Sequence, residues 1–160
     1  MKFSILIPTF NNLSYLKLCI ESLEKYSFFN NHQIIIHVND GTDGTLDYIK
    51  DKKILYTYSD KNIGLCSAIN KCSKKATQDY FLYAHDDMFF LPKWDFHLFE
   101  IVKKIDNNLF YLSSTQICPN GPVKGSIQHI QKDFGTDIQS FDEQKLIENF
   151  EKYTFNDLQG

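Results

Sequence analysis

The sequence predicts an α/β domain built on a mainly parallel sheet with helices on both faces, and three observations carry that reading. Short apolar, β-branched runs alternate with stretches whose apolar residues recur at helical spacing, the pattern of repeated strand-helix units. The earliest run is apolar throughout, without alternation, as a strand buried on both faces must be. Polar loops rich in Asn, Asp and Gly follow the runs, so hydrogen-bonding groups gather at the carboxyl ends of the strands.

Taken in order, Phe3 to Ile7 is the first strand, ended by Pro8, and Thr9 to Asn12 is a polar turn. Leu13, Leu16, Cys19, Ile20 and Leu23 then mark a helix, with Asn12 or Ser14 available to cap its free amides. Gln33 to Val38 is a second strand, Asn39 to Gly44 a loop, and Thr45 to Lys50 a second helix. Ile54 to Tyr58 makes a third strand, Ser59 to Gly64 its loop, and Leu65 to about Ala76 a helix. Tyr80 to Ala84 is a fourth strand that runs into His85, Asp86 and Asp87. Beyond Pro92, residues Trp94, Leu98, Ile101, Val102 and Ile105 predict another helix, and Leu109 to Leu112 a fifth strand. Ser113 to Phe141 lacks periodicity and reads as a long excursion over the ligand side, before a terminal helix from Asp142 to Tyr153.

At 160 residues and 42% hydrophobic, the chain has room for one domain with a genuine core, residues 1–160, in which 1–112 form the regular part. The net charge of -3, with acids and lysines interspersed, offers no basic stripe for a nucleic-acid backbone. Arginine is absent, so phosphates would have to be held by a metal, a lysine or backbone amides. Cys19, Cys66, Cys72 and Cys118 have no metal-ligand or redox spacing and read as reduced core thiols. With neither a signal peptide nor a run of membrane-spanning length, a cytoplasmic protein is expected.

Four strand ends carry the polar groups: Thr9, Asn11 and Asn12; Asn39, Asp40 and Asp43; Asn62; and His85, Asp86 and Asp87. The adjacent carboxylates Asp86 and Asp87 repel unless a cation or donors offset their charge, and Mg²⁺ or Mn²⁺ would do so while drawing further ligands from substrate phosphates. The plain alternative is a solvated turn, but the position directly after an apolar strand favours a site. Asn39 to Gly44 alone would be an ordinary turn, His85 a structural hydrogen-bonder, and Lys71 to Lys75 a solvated helix face.

In their order and spacing, Ser4 to Asn11, Val38 to Thr45, Asn62 to Gly64 and Tyr83 to Asp87 resemble the family 2 glycosyltransferases of the GT-A fold, over about residues 3 to 105. The resemblance implies a nucleotide-diphosphate sugar donor such as a UDP-sugar. It places Thr9 and Phe10 against the base, with Asp40 bonded to a base ring nitrogen. Asn62 and Gly64 would shape the loop near base and phosphates, with Pro8 and Asn12 completing the nucleotide-binding set. Asp86 would lie near the ribose or a metal, and Asp87 would coordinate a divalent metal, Mn²⁺ or Mg²⁺, in a DxD-like site. The sequence departs from the pattern at Ala84, where the family often has an acid, at Asn39, where it often has aspartate, and at Asn12, often acidic.

The chemistry implied is displacement at the anomeric carbon by an acceptor hydroxyl, with inversion, the acceptor being a glycan, a lipid-linked sugar or a protein. The chain is expected to stop near where the family's acceptor-binding stretch begins. Asp133 and Asp137 are the candidates for the catalytic base, although a polar surface loop is the preferred reading of their segment. Two alternatives compete: a nucleotide-sugar-binding domain without turnover, and a receiver-like Mg²⁺-binding phosphoacceptor domain. The second would place its acid pair after the first strand, where this sequence has Pro8-Thr9-Phe10.

Overall fold

The computed structural model describes residues 1–107, 109–120 and 129–153. The chain divides into two compact units, Met1–Val102 and Lys103–Gly160. In the first, strands β1 (Phe3–Phe10), β2 (Gln33–Asn39), β3 (Leu55–Ser59) and β4 (Tyr80–Tyr83) form one parallel sheet in the order β3-β2-β1-β4. Helices α1 (Leu13–Tyr26), α2 (Thr45–Asp51), α3 (Leu65–Ser73) and α4 (Trp94–Val102) each follow the strand of the same number.

The period of two along each strand sorts side chains between two cores. Ile5, Ile7, Ile36 and Val38 pack with Leu16, Cys19, Ile20 and Leu23 of α1, Ile49 of α2 and Trp94 of α4. Leu6 and Ile35 point the other way, against Cys72 and Ile69 of α3. The predicted fold, a parallel sheet between layers of helix, is the observed one.

Several local expectations need correction. Strand β1 does not end at Pro8 but continues to Phe10, with Pro8 opposite His37 of β2. The Ala84 amide donates to the Leu6 carbonyl, so even-numbered residues of β1 direct their backbone groups toward β4. Because β4 stops at Tyr83, Pro8 has no ladder bond to break on that side. The cap of α1 comes from neither Asn12 nor Ser14; Asp43, in the loop after β2, accepts the Leu13 amide at 2.8 Å. Leu109 to Leu112 is not a strand: it has no partner ladder among the described residues, and Leu109 and Tyr111 are 94% and 91% exposed. Cys19 and Cys72 are buried as expected of core thiols, but Cys66 is exposed and Cys118 only partly covered.

The second unit carries a short parallel pair, β5 (Gln116–Cys118) and β6 (His129–Gln131), inside the segment predicted to be irregular. The terminal helix is present as α5 (Glu143–Asn149), with a 3-10 turn from Phe150 to Tyr153, and Asp142 caps it by accepting the Lys145 amide. Within this unit Phe134 and Leu146 are buried. The parts of the predicted excursion and tail at 121–128 and 154–160 lie outside the described residues. Among the described residues no helix is long and apolar enough to cross a membrane.

A buried carboxylate that sequence reading missed braces the first unit. Asp95, in the first turn of α4, is fully inaccessible and accepts the amides of Phe28, Phe29 and Phe96 at 2.7, 2.7 and 2.9 Å. It also meets His32 Nε2 at 2.9 Å. His32 Nδ1 accepts the Phe3 amide, so the ring holds its proton on Nε2 and donates it to Asp95. Burial works against the Asp95 charge, but His32 and the three amides more than offset it and hold the carboxyl below the usual range. A depressed carboxyl contributes stability that is fully present above its unfolded pKa and is lost as pH falls through the native one. We therefore expect Asp95→Ala to cost about 3 kcal/mol in urea unfolding at neutral pH. That difference from wild type should shrink as the medium is taken below about pH 4.

Candidate functional site

All four strands of the first unit run the same way, so their carboxyl ends share one rim. An open cleft of about 330 Å³ lies at that rim, lined by Pro8, Thr9, Phe10, Asn11, Asn12, Asn39, Asn62, Leu65 and Asp86. Of the residues read as nucleotide-binding, Pro8, Thr9, Phe10, Asn12, Asn62 and Asp86 line it; Asp40 and Gly64 do not, nor does Asp87. Phe10 and Leu65 are 49% and 46% exposed, which leaves apolar surface in the cleft uncovered.

At the end of β1, Thr9 Oγ1 donates to Asp86 Oδ2 at 2.6 Å, joining residues far apart in sequence. Asp86 is partly buried and Asp87 exposed. Burial pushes the Asp86 carboxyl up from its ordinary value; hydrogen bonds from Thr9 and Asn12 oppose this, and the neighbouring Asp87 charge adds to it. Behind the pair, Cys19 donates weakly to the His85 carbonyl at 3.6 Å. Burial first, then the charges of Asp86 and Asp87, pushes its thiol up to about 12, so it stays protonated and inert. His85 itself is exposed, and its ring bonds the Tyr83 hydroxyl at 2.8 Å, which suits the structural reading of that residue.

Two asparagines organise the remaining rim. Asn11, with φ of 47°, accepts the Gly41 amide at 2.9 Å and donates to Asp40 Oδ2 and Thr42 Oγ1 at 3.1 and 3.2 Å. Buried Asn39 donates to the Thr9 carbonyl at 3.2 Å and accepts the Ile63 amide at 3.0 Å, tying the ends of β1 and β2 to the loop after β3. Sequence reading placed both at strand ends without assigning them these roles. The signal available was amide side chains at the last positions of strands, where backbone groups of three loops need partners. Asn62 accepts the Gly64 amide at 2.9 Å, and Gly64, with φ of 81°, precedes α3 with open space around it.

The two base candidates lie in the second unit. Asp133 lines a separate cleft of about 300 Å³ with Phe134, Gly135, Thr136, Ser140, Asp142 and Lys145. Asp137 accepts the amides of Gln139 and Ser140 and the Ser140 hydroxyl, a closed local turn that holds its carboxyl below the usual range.

As to metals, no group of three or more His, Cys, Asp or Glu side chains able to hold an ion occurs among the described residues. Asp86 and Asp87 can supply two carboxylates, which suffices for Mg²⁺ or Mn²⁺ when substrate phosphates and water complete the shell. A cation is also what would relieve the burial of Asp86 and its repulsion by Asp87.

Comparison with known proteins identifies the family. The profile described as glycosyl transferase family 2 matches residues 4–158. An uncharacterized glycosyltransferase of Rickettsia typhi is 34% identical over 108 residues, 65% of this chain and 33% of that protein. One from Rickettsia bellii is 32% identical over 140 residues, 81% of this chain and 19% of that protein. The chain thus spans about a third or less of the length of these relatives. Among solved structures, S. aureus TarS 1–349 matches 63% of this chain with a TM-score of 0.55 and 22% identity, over 32% of its own length. A second TarS structure holds UDP-GlcNAc and a third holds UDP.

Two substitutions test the rim. A Cβ at Gly41, whose φ is 79°, would sit 2.7 Å from Val38 Cγ1, so Gly41→Ala should destabilise by about 2–3 kcal/mol in thermal or urea unfolding. Thr9→Val removes a donor to ionised Asp86, and NMR titration of the metal-free protein should show the Asp86 carboxyl moving further upward.

Proposed function

This chain belongs to glycosyl transferase family 2, and from that premise we propose that its cleft binds a nucleotide-diphosphate sugar, with UDP as the carrier, for transfer of the sugar to an acceptor hydroxyl. The observation that carries the reading is the Thr9-Asp86 bond, which holds a carboxylate in a cleft whose lining also includes the exposed apolar side chains of Phe10 and Leu65. That combination matches a ligand with a flat base at one end and a charged diphosphate at the other. Phe10 and Thr9 would face the base with Asp40 bonded to its ring nitrogen, Pro8, Asn12, Asn62 and Gly64 would shape the surrounding loops, and Asp86 would reach the ribose or a metal. The UDP and UDP-GlcNAc held by TarS structures of like fold support the choice of carrier.

Asp87, with Asp86, would hold Mg²⁺ or Mn²⁺, whose chemistry here is neutralisation of the diphosphate as it leaves. The chain's own part is to orient the donor so that the face of the anomeric carbon opposite the diphosphate is open to an acceptor, which gives inversion. A carboxylate takes the acceptor proton; Asp133 and Asp137 stand as candidates, in a unit whose Asp137 is already engaged in a turn. The acceptor is a glycan, a lipid-linked sugar or a protein, and the setting is cytoplasmic.

Thermal-shift titration checks the proposal: UDP should raise Tm, Mn²⁺ should enlarge the rise, and Asp87→Ala should abolish the metal-dependent part while leaving a smaller metal-free shift. A Tm indifferent to every nucleoside diphosphate would sink it.

A further inference from the structure

The parallel register stacks polar side chains in two rows across the sheet on the α3 side. Pro8, His37 and Thr57 form one row, and Phe10, Asn39 and Ser59 form the next, at the cleft. His37 is fully buried in β2 between the apolar Ile36 and Val38. Its neighbour Pro8 offers no side-chain partner, so the ring bonds only toward β3: Nδ1 to Thr57 Oγ1 at 2.7 Å and Nε2 to Ser59 Oγ at 3.1 Å. Ser59 Oγ lies 3.2 Å from Asn39 Oδ1 and 2.8 Å from the Lys61 carbonyl. Asn39 in turn holds the Ile63 amide and the Thr9 carbonyl.

The proton directions follow from what each group can give. The Thr57 hydroxyl donates to Nδ1, the neutral ring donates from Nε2 to Ser59, and the Ser59 hydroxyl is left to donate onward to Lys61 or Asn39. Burial, and next the Lys71 charge on α3, hold His37 below the ordinary histidine range, with Asn39 opposing them. The buried Cys72 thiol on α3 is itself pushed up to about 11 by burial and stays neutral. In this arrangement the ring acts as acceptor through Nδ1 and as donor through Nε2.

We propose that His37 is a positioning residue, which through Ser59 and Asn39 sets the loop 60–64 against Thr9 and so fixes the width of the cleft for the nucleotide. The proposal rests on the donor-site reading above. A buried histidine spent only on stability would have no reason to be wired to both walls of one cleft; this one reaches Lys61 in two hydrogen-bonded steps, and Ile63 on the same wall and Thr9 on the other in three.

The test has two readouts on the full chain, one of which needs no ligand. In the free protein, hydrogen exchange at the Ile63 amide should quicken roughly tenfold in His37→Leu and in Ser59→Ala, and stay near wild type in His37→Gln, which keeps a donor and an acceptor. By calorimetry well below Tm, the Kd for UDP should weaken roughly tenfold in the first two variants and less than threefold in His37→Gln. The double variant His37→Leu/Ser59→Ala should be no worse than the weaker single one, as one chain of bonds requires. Ser59→Ala keeps the test open if His37→Leu does not fold. Variants with lowered Tm but unchanged Ile63 exchange and unchanged UDP affinity would reduce His37 to a purely structural role and overturn the proposal. Quickened exchange at Ile63 in the variants, together with a wild-type protein that binds no nucleoside diphosphate, would instead overturn the donor-site reading, and with it the purpose assigned to the relay.

Discussion

The constraint from which the first unit follows is that β1 has no solvent face. Phe3 through Thr9 are all buried, with odd positions packed into the α1, α2 and α4 side and even positions into the α3 side. A shift of one residue would move every side chain into the wrong core, so the register against β2 and β4 is strongly set. The strand must then emerge at one place on the rim, carrying Thr9 to Asp86 and leaving Phe10 half in solvent. Even Pro8 is accommodated by this geometry, since its missing donor falls where β4 has already ended.

With no arginine in the chain, the rim is tied by asparagine amides together with the carboxylates of Asp43 and Asp86. Asn11 and Asn39 each satisfy backbone groups of a neighbouring loop, and neither adds a charge to a surface that already contains Asp40, Asp86 and Asp87. An aspartate at position 39 would need another donor in place of its own amide to hold the Thr9 carbonyl, and would put a further negative charge in a buried position. The asparagine there, a departure from the family's frequent residue, is thus consistent with its surroundings. Among the residues lining the cleft, the acid is Asp86, which follows β4.

Stability and site are anchored at different ends of the sheet. Asp95 gathers the chain between α1 and β2 onto α4 near the start of β1, through His32 and the Phe3 amide, while the asparagines work at the strands' carboxyl ends. The division lets loops at the rim carry polar groups suited to a ligand without also having to hold the core. None of the Asp95 role was visible beforehand. An acid in the first turn of a helix reads as a favourable charge near the helix dipole, and nothing local to it indicates that two phenylalanine amides and a histidine from a distant loop converge there.

By itself, the sequence determined the class of fold, because two-sided burial and helical spacing are properties of neighbouring residues and need no knowledge of distant ones. It also determined which loops gather at one rim, since parallel strands joined by helices place successive carboxyl ends together. The tertiary structure alone decided which rim residues touch: that Thr9 bonds Asp86, that Asp43 caps α1, and that His37 reaches the cleft through Ser59 and Asn39. It also decided against a strand at Leu109–Leu112, whose apolar residues have the composition of one but no partner ladder. The physical reason is common to these cases. Propensity and periodicity act over a few residues, whereas a hydrogen bond between side chains far apart in the chain, or the pairing of a strand, exists only once the sheet has brought its partners within about 3 Å.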